Sequence, residues 1–375
     1  MHTQRTIARV VFVLVGMVGL SLPGRCALTV GDGSELFLTG TVGFQYDENI
    51  FLRTNSAKSD YTTTFTPGLQ LVFGQNSLTK GAFTVSEAFA RYDRETSQNS
   101  NMASVTFNSI YDNGKTKGIF NASYNQVTQN NLDARLFGIL VRRDVTDFSG
   151  RGEWSLSDKT SFAAGAGYDR TDYKTAGFVT SNQYSFPADF YYELLPKVDL
   201  SVDYRYRETD LAQNLPTDTD SFFGVGARGH FTEKLSGEFH IGYTQRHLGT
   251  GGNESLLGTD SNFTYLLSPK TTVLLGVSND FNNAATGASQ KVLSFTGSVR
   301  TAFEEGFSGS VAVTYRDLDY ATGERDHYWE GTVGVQKQCN KYLTFQAGYT
   351  YRNNSSNLPV DFTDNVFSIS GSIRY

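Results

Sequence analysis

Three groups of residues in this chain are of types that do chemistry. The first is Gly224-Val-Gly226-Ala-Arg-Gly229, which satisfies the G-x-G-x-x-G pattern. A dinucleotide site needs that run between a strand and a helix. Here it lies inside an alternating stretch and runs into turn residues, so it reads as strand glycine that permits twist or lets an aromatic pack over the backbone. The second group is His230, His240, His247 and His327, the histidines beyond the first 26 residues. None has the spacing of a metal site, and no Ser is placed beside a His as an esterase would need. The reading therefore assigns no catalytic residue, no metal and no cofactor; a barrel lipase is the least favoured alternative.

The third group is the charged one. Asp189, Glu193, Asp199, Asp203, Arg205 and Arg207 fall on one side of two predicted neighbouring strands. Arg228, Glu238, Arg300, Arg316, Glu330 and Arg352 fall on the same side of later ones. In a soluble sandwich this would be a solvated outer face. In a closed barrel with an apolar exterior it lines the lumen, either as a water-filled path or as an ion-paired plug. Centring one hairpin on Pro196 sets Glu193 against Asp199 and Asp189 against Asp203. Adjoining acids tolerate water better than a dry interior, which leads us to expect a pore with weak cation preference that weakens further when Asp189 and Asp203 become Asn.

The elements that position these residues alternate with a period of two. Leu200, Val202, Tyr204 and Tyr206 face opposite to Ser201, Asp203, Arg205 and Arg207. Likewise Phe295, Gly297, Val299 and Thr301 oppose Ser294, Thr296, Ser298 and Arg300. Tight turns are expected at 74–76, 112–114, 157–159, 195–197, 232–234, 268–270, 304–306 and 339–341, all rich in Gly, Pro, Asn, Asp, Ser or Lys. Longer loops fall between them, among them 47–59, 94–101, 171–182, 207–217, 282–288 and 353–363. Short turns and long loops in rotation predict about eighteen strands with both termini on the short-turn side. Alternation falters at 78–92 and 128–147, so a bulge or a sixteen-strand solution stays open. A register test pairs Trp154 with Phe162, Phe148 with Tyr168 and Asp147 with Asp169. Centring later hairpins on Glu233 and Asn340 pairs Arg228 with Glu238, Val335 with Phe345, Trp329 with Tyr351 and Tyr328 with Arg352.

The compartment follows from the N-terminus. Arg5 and Arg9 precede an apolar run from Val10 to Leu22, which Pro23, Gly24 and Arg25 break. This is the layout of a signal peptide over residues 1–26 and is too short for a spanning helix. A lipoprotein reading of Cys26 meets Arg25 where a small residue is needed. Removing this segment takes away three Arg and moves the formal charge from −6 to −9. Such an acidic chain, without Lys/Arg clusters, argues against nucleic acid as a partner. Cys339 would remain the lone cysteine, so no internal disulfide can form.

With 21 Tyr, 28 Phe and 7 Pro the chain is aromatic-rich and proline-poor. Its mean hydropathy is nevertheless negative. A closed barrel over residues 27–375 resolves the conflict, because its strands show one apolar and one polar face while every backbone group is paired. The final stretch alternates Phe367, Ile369, Gly371, Ile373 and Tyr375 with Ser368, Ser370, Ser372 and Arg374. That pattern resembles the last strand by which outer-membrane barrels are handed to their insertion machinery.

Residues 38–73 carry a more specific resemblance. Leu38-Thr-Gly-Thr-Val-Gly-Phe44-Gln-Tyr46-Asp47-Glu48-Asn49-Ile50-Phe51 leads through Ser59-Asp60-Tyr61 to Thr66-Pro67-Gly68-Leu69-Gln-Leu71. This resembles the opening of the putative β-barrel porin 2 family, and about a tenth of the chain matches specifically. The resemblance implies an outer-membrane β-barrel, often associated with exopolysaccharide biosynthesis clusters. For the loop itself, Asp47 and Asn49 suit a turn and Pro67-Gly68 a kink, a structural role rather than a ligand-binding one.

The sequence thus predicts an all-β protein, a single transmembrane antiparallel barrel in the outer membrane of a Gram-negative-type bacterium. Its expected function is a channel for small polar solutes or polysaccharide, with a non-conducting structural or adhesive barrel as the alternative. Expected partners are outer-membrane lipid and lipopolysaccharide, the insertion machinery and the permeating solute.

Overall fold

The computed structural model of the chain describes residues 28–30, 33–130, 132, 139–213 and 215–375. The expected signal peptide, with Cys26, lies outside the described residues. Within them β1 (Leu28–Thr29) pairs with the start of β2 (Glu35–Asp47). Then come β3 (Asp60–Phe73), β4 (Thr79–Tyr92), β5 (Ser100–Asp112), β6 (Thr116–Gln129), β7 (Val141–Ser155), β8 (Thr160–Tyr173) and β9 (Ser181–Leu195). The second half holds β10 (Val198–Leu211), β11 (Asp218–His230), β12 (Leu235–His247), β13 (Asn253–Ser268) and β14 (Thr271–Asn283). It ends with β15 (Ser289–Ala302), β16 (Phe307–Tyr320), β17 (Arg325–Gln338), β18 (Leu343–Ser356) and β19 (Phe362–Arg374).

Strands β2 to β19 pair antiparallel in sequence order and β19 returns to β2, which closes an eighteen-strand barrel. The sixteen-strand alternative falls, because residues 79–92 form one unbroken strand and β6 and β7 are two distinct strands paired with each other. Tight turns stand at all eight expected positions. Their chemistry is local: Asn113 Oδ1 accepts from the backbone N–H of Lys115 and Thr116, and Gly114 takes a φ of 85° that a side chain would resist. The expected loops 171–182, 207–217 and 353–363 are shorter than read, since β8 runs on to Tyr173 and β9 starts at Ser181, β10 runs on to Leu211 and β18 to Ser356.

Register agrees with expectation at Trp154–Phe162, Phe148–Tyr168, Asp147–Asp169 and Arg228–Glu238. It differs between β17 and β18. Val335 faces Ala347 rather than Phe345, Trp329 faces Asn353 rather than Tyr351, and Arg352 faces Glu330 rather than Tyr328. The cause is the turn: Asn340 Oδ1 accepts from the N–H of Tyr342 and Leu343, and Cys339 N–H donates to Leu343 O, so four residues make the bend. The slip is two residues, and a slip of two leaves every face unchanged.

Because strands tilt in a barrel, a row of paired residues climbs through the wall. One outward row starts at Leu235, next to a short turn, and passes through Tyr265, Val273, Val299, Val311 and Val333. It ends through Tyr349, Phe367, Tyr46 and Tyr61 at the long-loop rim. Valines between aromatics at both ends are the profile of a hydrocarbon band with interfacial girdles. A second row, from Leu343 through Ile373, Gly40, Pro67, Glu87, Ala103, Gln126 and Asp144 to Asp172, places Glu87 on the outward face at the height of Val311. That carboxyl is why alternation falters at 78–92. At 128–147 the cause is Arg142 and Asp144, outward residues on wall that rises past the aromatic girdle.

At the long-loop end the segment after β2 turns inward. Asn49 N–H donates to Asp47 Oδ1 at 2.8 Å, and the Asn49 amide bridges Arg53 O and Thr363 O. This is the structural role expected of the motif, and it buries Ile50, Phe51 and Leu52. Leu52 packs with Ala284, Leu318, Tyr320, Tyr328 and Phe362, while Val179 N–H donates to Ala285 O across the mouth. The outer opening is therefore narrowed by its own loops.

Candidate functional site

The lumen wall divides into two arcs. From β7 to β14 it carries charge in three tiers. Nearest the short turns, Arg228 makes a bidentate pair with Glu153 at 2.6 and 2.8 Å, reaches Asp199 at 3.0 Å and lies 3.5 Å above the Tyr191 ring centroid. In the middle tier Arg151 meets Asp189 at 2.6 Å, and His240 Nδ1 meets Asp203 at 2.8 Å. In the uppermost tier Asp220 holds Arg207 at 2.9 Å and Arg246 at 2.6 Å, while Asp280 takes Arg205 at 2.7 Å and Arg207 at 2.9 Å. Arg246 is fully buried and also donates to Asn282 O and Ser289 Oγ. Bidentate, charge-assisted pairs of this kind satisfy buried ions.

The glycines of the nucleotide-like run serve this wall. A Cβ on Gly226 would stand 2.6 Å from both His240 Nδ1 and Ser201 Oγ, and one on Gly224 would strike the Phe222 ring. Their absence of side chain lets His240 cross β11 to reach Asp203.

The other arc, from β15 round to β6, is lined mostly by Ser, Thr, Asn, Gln, Gly and Ala. Its side chains bond to nearest neighbours, as in Thr332–Thr350, Gln336–Gln346 and Ser104–Asn125. Here a cavity of about 320 Å³ is bounded by Ser310, Gln336, Gln346, Ser370 and Arg300. Beneath the inward loops lie two more, of about 330 and 260 Å³, which share Gln129, Asn130 and Arg352. Arg352 is paired with Glu330 and Asp364, each at 3.3 Å.

The twelve residues singled out from sequence all take the inward side of their strands. They do not form one patch. Asp189, Asp199, Asp203, Arg205, Arg207 and Arg228 belong to the tiered network; Glu330 and Arg352 lie under the loops. Glu193, Glu238, Arg300 and Arg316 make no ion pair among the described residues. The expected acid patch is not free: Asp189 and Asp203 do adjoin, but Arg151 pairs with Asp189, His240 Nδ1 meets Asp203, and both acids are buried. Arg228 likewise bypasses its cross-strand partner Glu238, because a long guanidinium on a concave wall reaches chordwise to Glu153, four strands away. Sequence reasoning missed Arg143, Arg151, Glu153, Asp220, Arg246 and Asp280. Their inward parity was readable; Asp220 meets Arg207 and Arg246 on the strands beside it, whereas Arg151, Glu153 and Asp280 take partners from non-adjacent strands.

A family model described as putative beta-barrel porin 2 matches residues 39–375. No curated protein matches the chain. Among solved structures, Pseudomonas aeruginosa OccK2 (OpdF), crystallised in complex with glucuronate, superposes with a TM-score of 0.51 at 10% identity, over 91% of this chain and 98% of that one. Pseudomonas aeruginosa OpdQ superposes with a TM-score of 0.50 at 12% identity, over 92% and 100%. At such identity these two report the barrel fold, and with the family match they place the chain in a Gram-negative outer membrane.

Proposed function

Because this chain belongs to the putative β-barrel porin 2 family, we propose that it is an outer-membrane channel for small polar solutes, and not an enzyme. The observation that supports this reading is the neutral arc. Short hydroxyl and amide side chains leave a cavity of about 320 Å³ along this side of the lumen, and such a lining wets readily and passes polar solutes. A second cavity, of about 330 Å³, lies under the loops between Gln129, Arg143, Arg316 and Tyr328. The arginine tiers of the opposite arc are satisfied within the wall, so the solute path runs beside them. Of the twelve charged residues, Arg300, Arg316, Glu330 and Arg352 border cavities under the loops and on the open arc, and Glu193, Asp199 and Arg228 border one of about 180 Å³ on the charged arc; the other network members shape the wall.

The finer reading, passage of an exopolysaccharide, draws on the family resemblance; a mouth narrowed by Leu52, Ala284 and Val179 favours single extended saccharide strands and small solutes over bulk ones. Export through residues 1–26 as signal peptide, assembly by the insertion machinery and contact with lipopolysaccharide complete the proposal. The test is reconstitution of the mature barrel in planar bilayers. Stepwise KCl conductance with swelling of liposomes in small sugars is expected. A silent bilayer at every polarity would mean that the loops seal the mouth and that the barrel is structural or adhesive.

A further inference from the structure

The cavity of about 330 Å³ under the inward loops is built differently from the rest of the lumen. Arg143 enters it from β7 and Arg316 from β16. Neither guanidinium has an ion-pair partner among the described residues, whereas Arg151, Arg205, Arg207, Arg228, Arg246 and Arg352 are each paired with a carboxylate. Arg316 stacks over the Tyr328 ring, 5.8 Å to its centroid, and the Tyr328 hydroxyl is itself fixed by donation to Glu330 at 2.7 Å. The cation is thus held in place without being neutralised.

A second feature of the same cavity is independent of charge. Gln290 lines it with only 8% of its surface exposed, and its amide oxygen has no hydrogen-bond partner. A buried acceptor left unpaired is costly unless something fills the bond. Gln129, Asn130 and Thr314 add further donors and acceptors around the same space, and the tyrosine ring offers a flat apolar surface. Two free guanidiniums, an orphan amide and a ring are the complement of a carboxylate on a hydroxylated ring.

We propose that this cavity is a binding site for an acidic saccharide, in which Arg143 and Arg316 hold the carboxylate and Gln290 accepts from a sugar hydroxyl. The inference rests on the channel reading for what the site is used for, but binding itself is measurable without conductance. Saturation-transfer NMR on the folded barrel in detergent micelles, with galacturonate and galactose as matched probes, reads it directly. Galacturonate is expected to bind saturably and galactose at least about tenfold more weakly, since a hydrogen bond to a charged group is worth that much. Arg143→Gln and Arg316→Gln should each weaken galacturonate by about tenfold or more. Gln290→Leu should weaken galactose and galacturonate alike. Retained heat-modifiable migration certifies each variant as folded. Equal binding of galactose and galacturonate, or of wild type and Arg143→Gln, would overturn the site. So would inorganic phosphate displacing galacturonate as well as galacturonate itself does, which would leave an anion site without saccharide recognition.

Discussion

The two arcs of the lumen wall solve the same problem, a polar face inside a closed sheet, with side chains of different reach. Between β7 and β14 long Arg side chains reach acids one to four strands away, the longest from Arg228 on β11 to Glu153 on β7 and from Arg207 on β10 to Asp280 on β14. Between β15 and β6 short hydroxyls and amides bond sideways to the next strand, as in Gln70 to Thr84 and Thr332 to Thr350. The first arrangement ties its charges together and leaves a cavity of about 180 Å³ beside Glu153 and Arg228, and the second leaves a larger one of about 320 Å³. The difference teaches that charge inside a barrel does not by itself mark the solute path. Whether a charge is paired within the wall matters, and Arg300 and Arg316, which make no ion pair among the described residues, border cavities.

The comparison breaks outright if the open arc loses its seam. Closure depends on β19 pairing with β2 through residues such as Ile369 with Phe44 and Ser370 with Gly43. Deleting residues 367–375 should therefore abolish heat-modifiable, membrane-integrated protein, because both edges would be left unpaired in lipid. Normal assembly of the truncation would refute the closure.

Next in size is a contrast between the arcs. Asp220 is buried and holds two arginines, so Asp220→Ala should destabilise by about 3–5 kcal/mol through stranded charge. Ser370→Ala on the open arc should stay within about 0.5 kcal/mol. Urea unfolding from lipid vesicles measures both, and similar values would erase the distinction between charged and neutral wall.

The outer face offers two smaller tests. Val299 lies near the middle of the valine row and Ser298 faces inward beside it. Val299→Arg should cost about 2–4 kcal/mol at that depth, and Ser298→Arg should be tolerated in the same unfolding assay. Glu87 is the exception on the open arc, a carboxyl facing lipid at the height of Val311. Acids there cost less than Arg or Lys, so Glu87→Leu should raise stability by up to about 2 kcal/mol. An unchanged or lower unfolding midpoint would show that Glu87 has a partner on that face.

Much of this architecture was legible in the chain. Period-two alternation in Leu200 to Arg207 fixed which face each residue takes, and turn residues such as Pro196-Lys197 and Asn113-Gly114 located the hairpins, because both are local properties of a few consecutive residues. Even the two-residue slip between β17 and β18 spared the faces. Glu87 and Asp144 blurred the pattern where a local rule met a site or a depth it does not describe.

What only the tertiary structure decided is who meets whom inside. That Asp189 answers Arg151, that Asp203 answers His240 across Gly226, and that Arg228 chooses Glu153 over its cross-strand neighbour all depend on the curvature of a closed wall. Curvature brings residues tens of positions apart within reach of a guanidinium, and no local period encodes it. The same holds for the mouth, where Leu52, Ala284 and Phe362 come from three separate stretches of chain. Sequence determines the two faces of a barrel strand because the pleat is local; closure determines pairing and open space because both are properties of the ring.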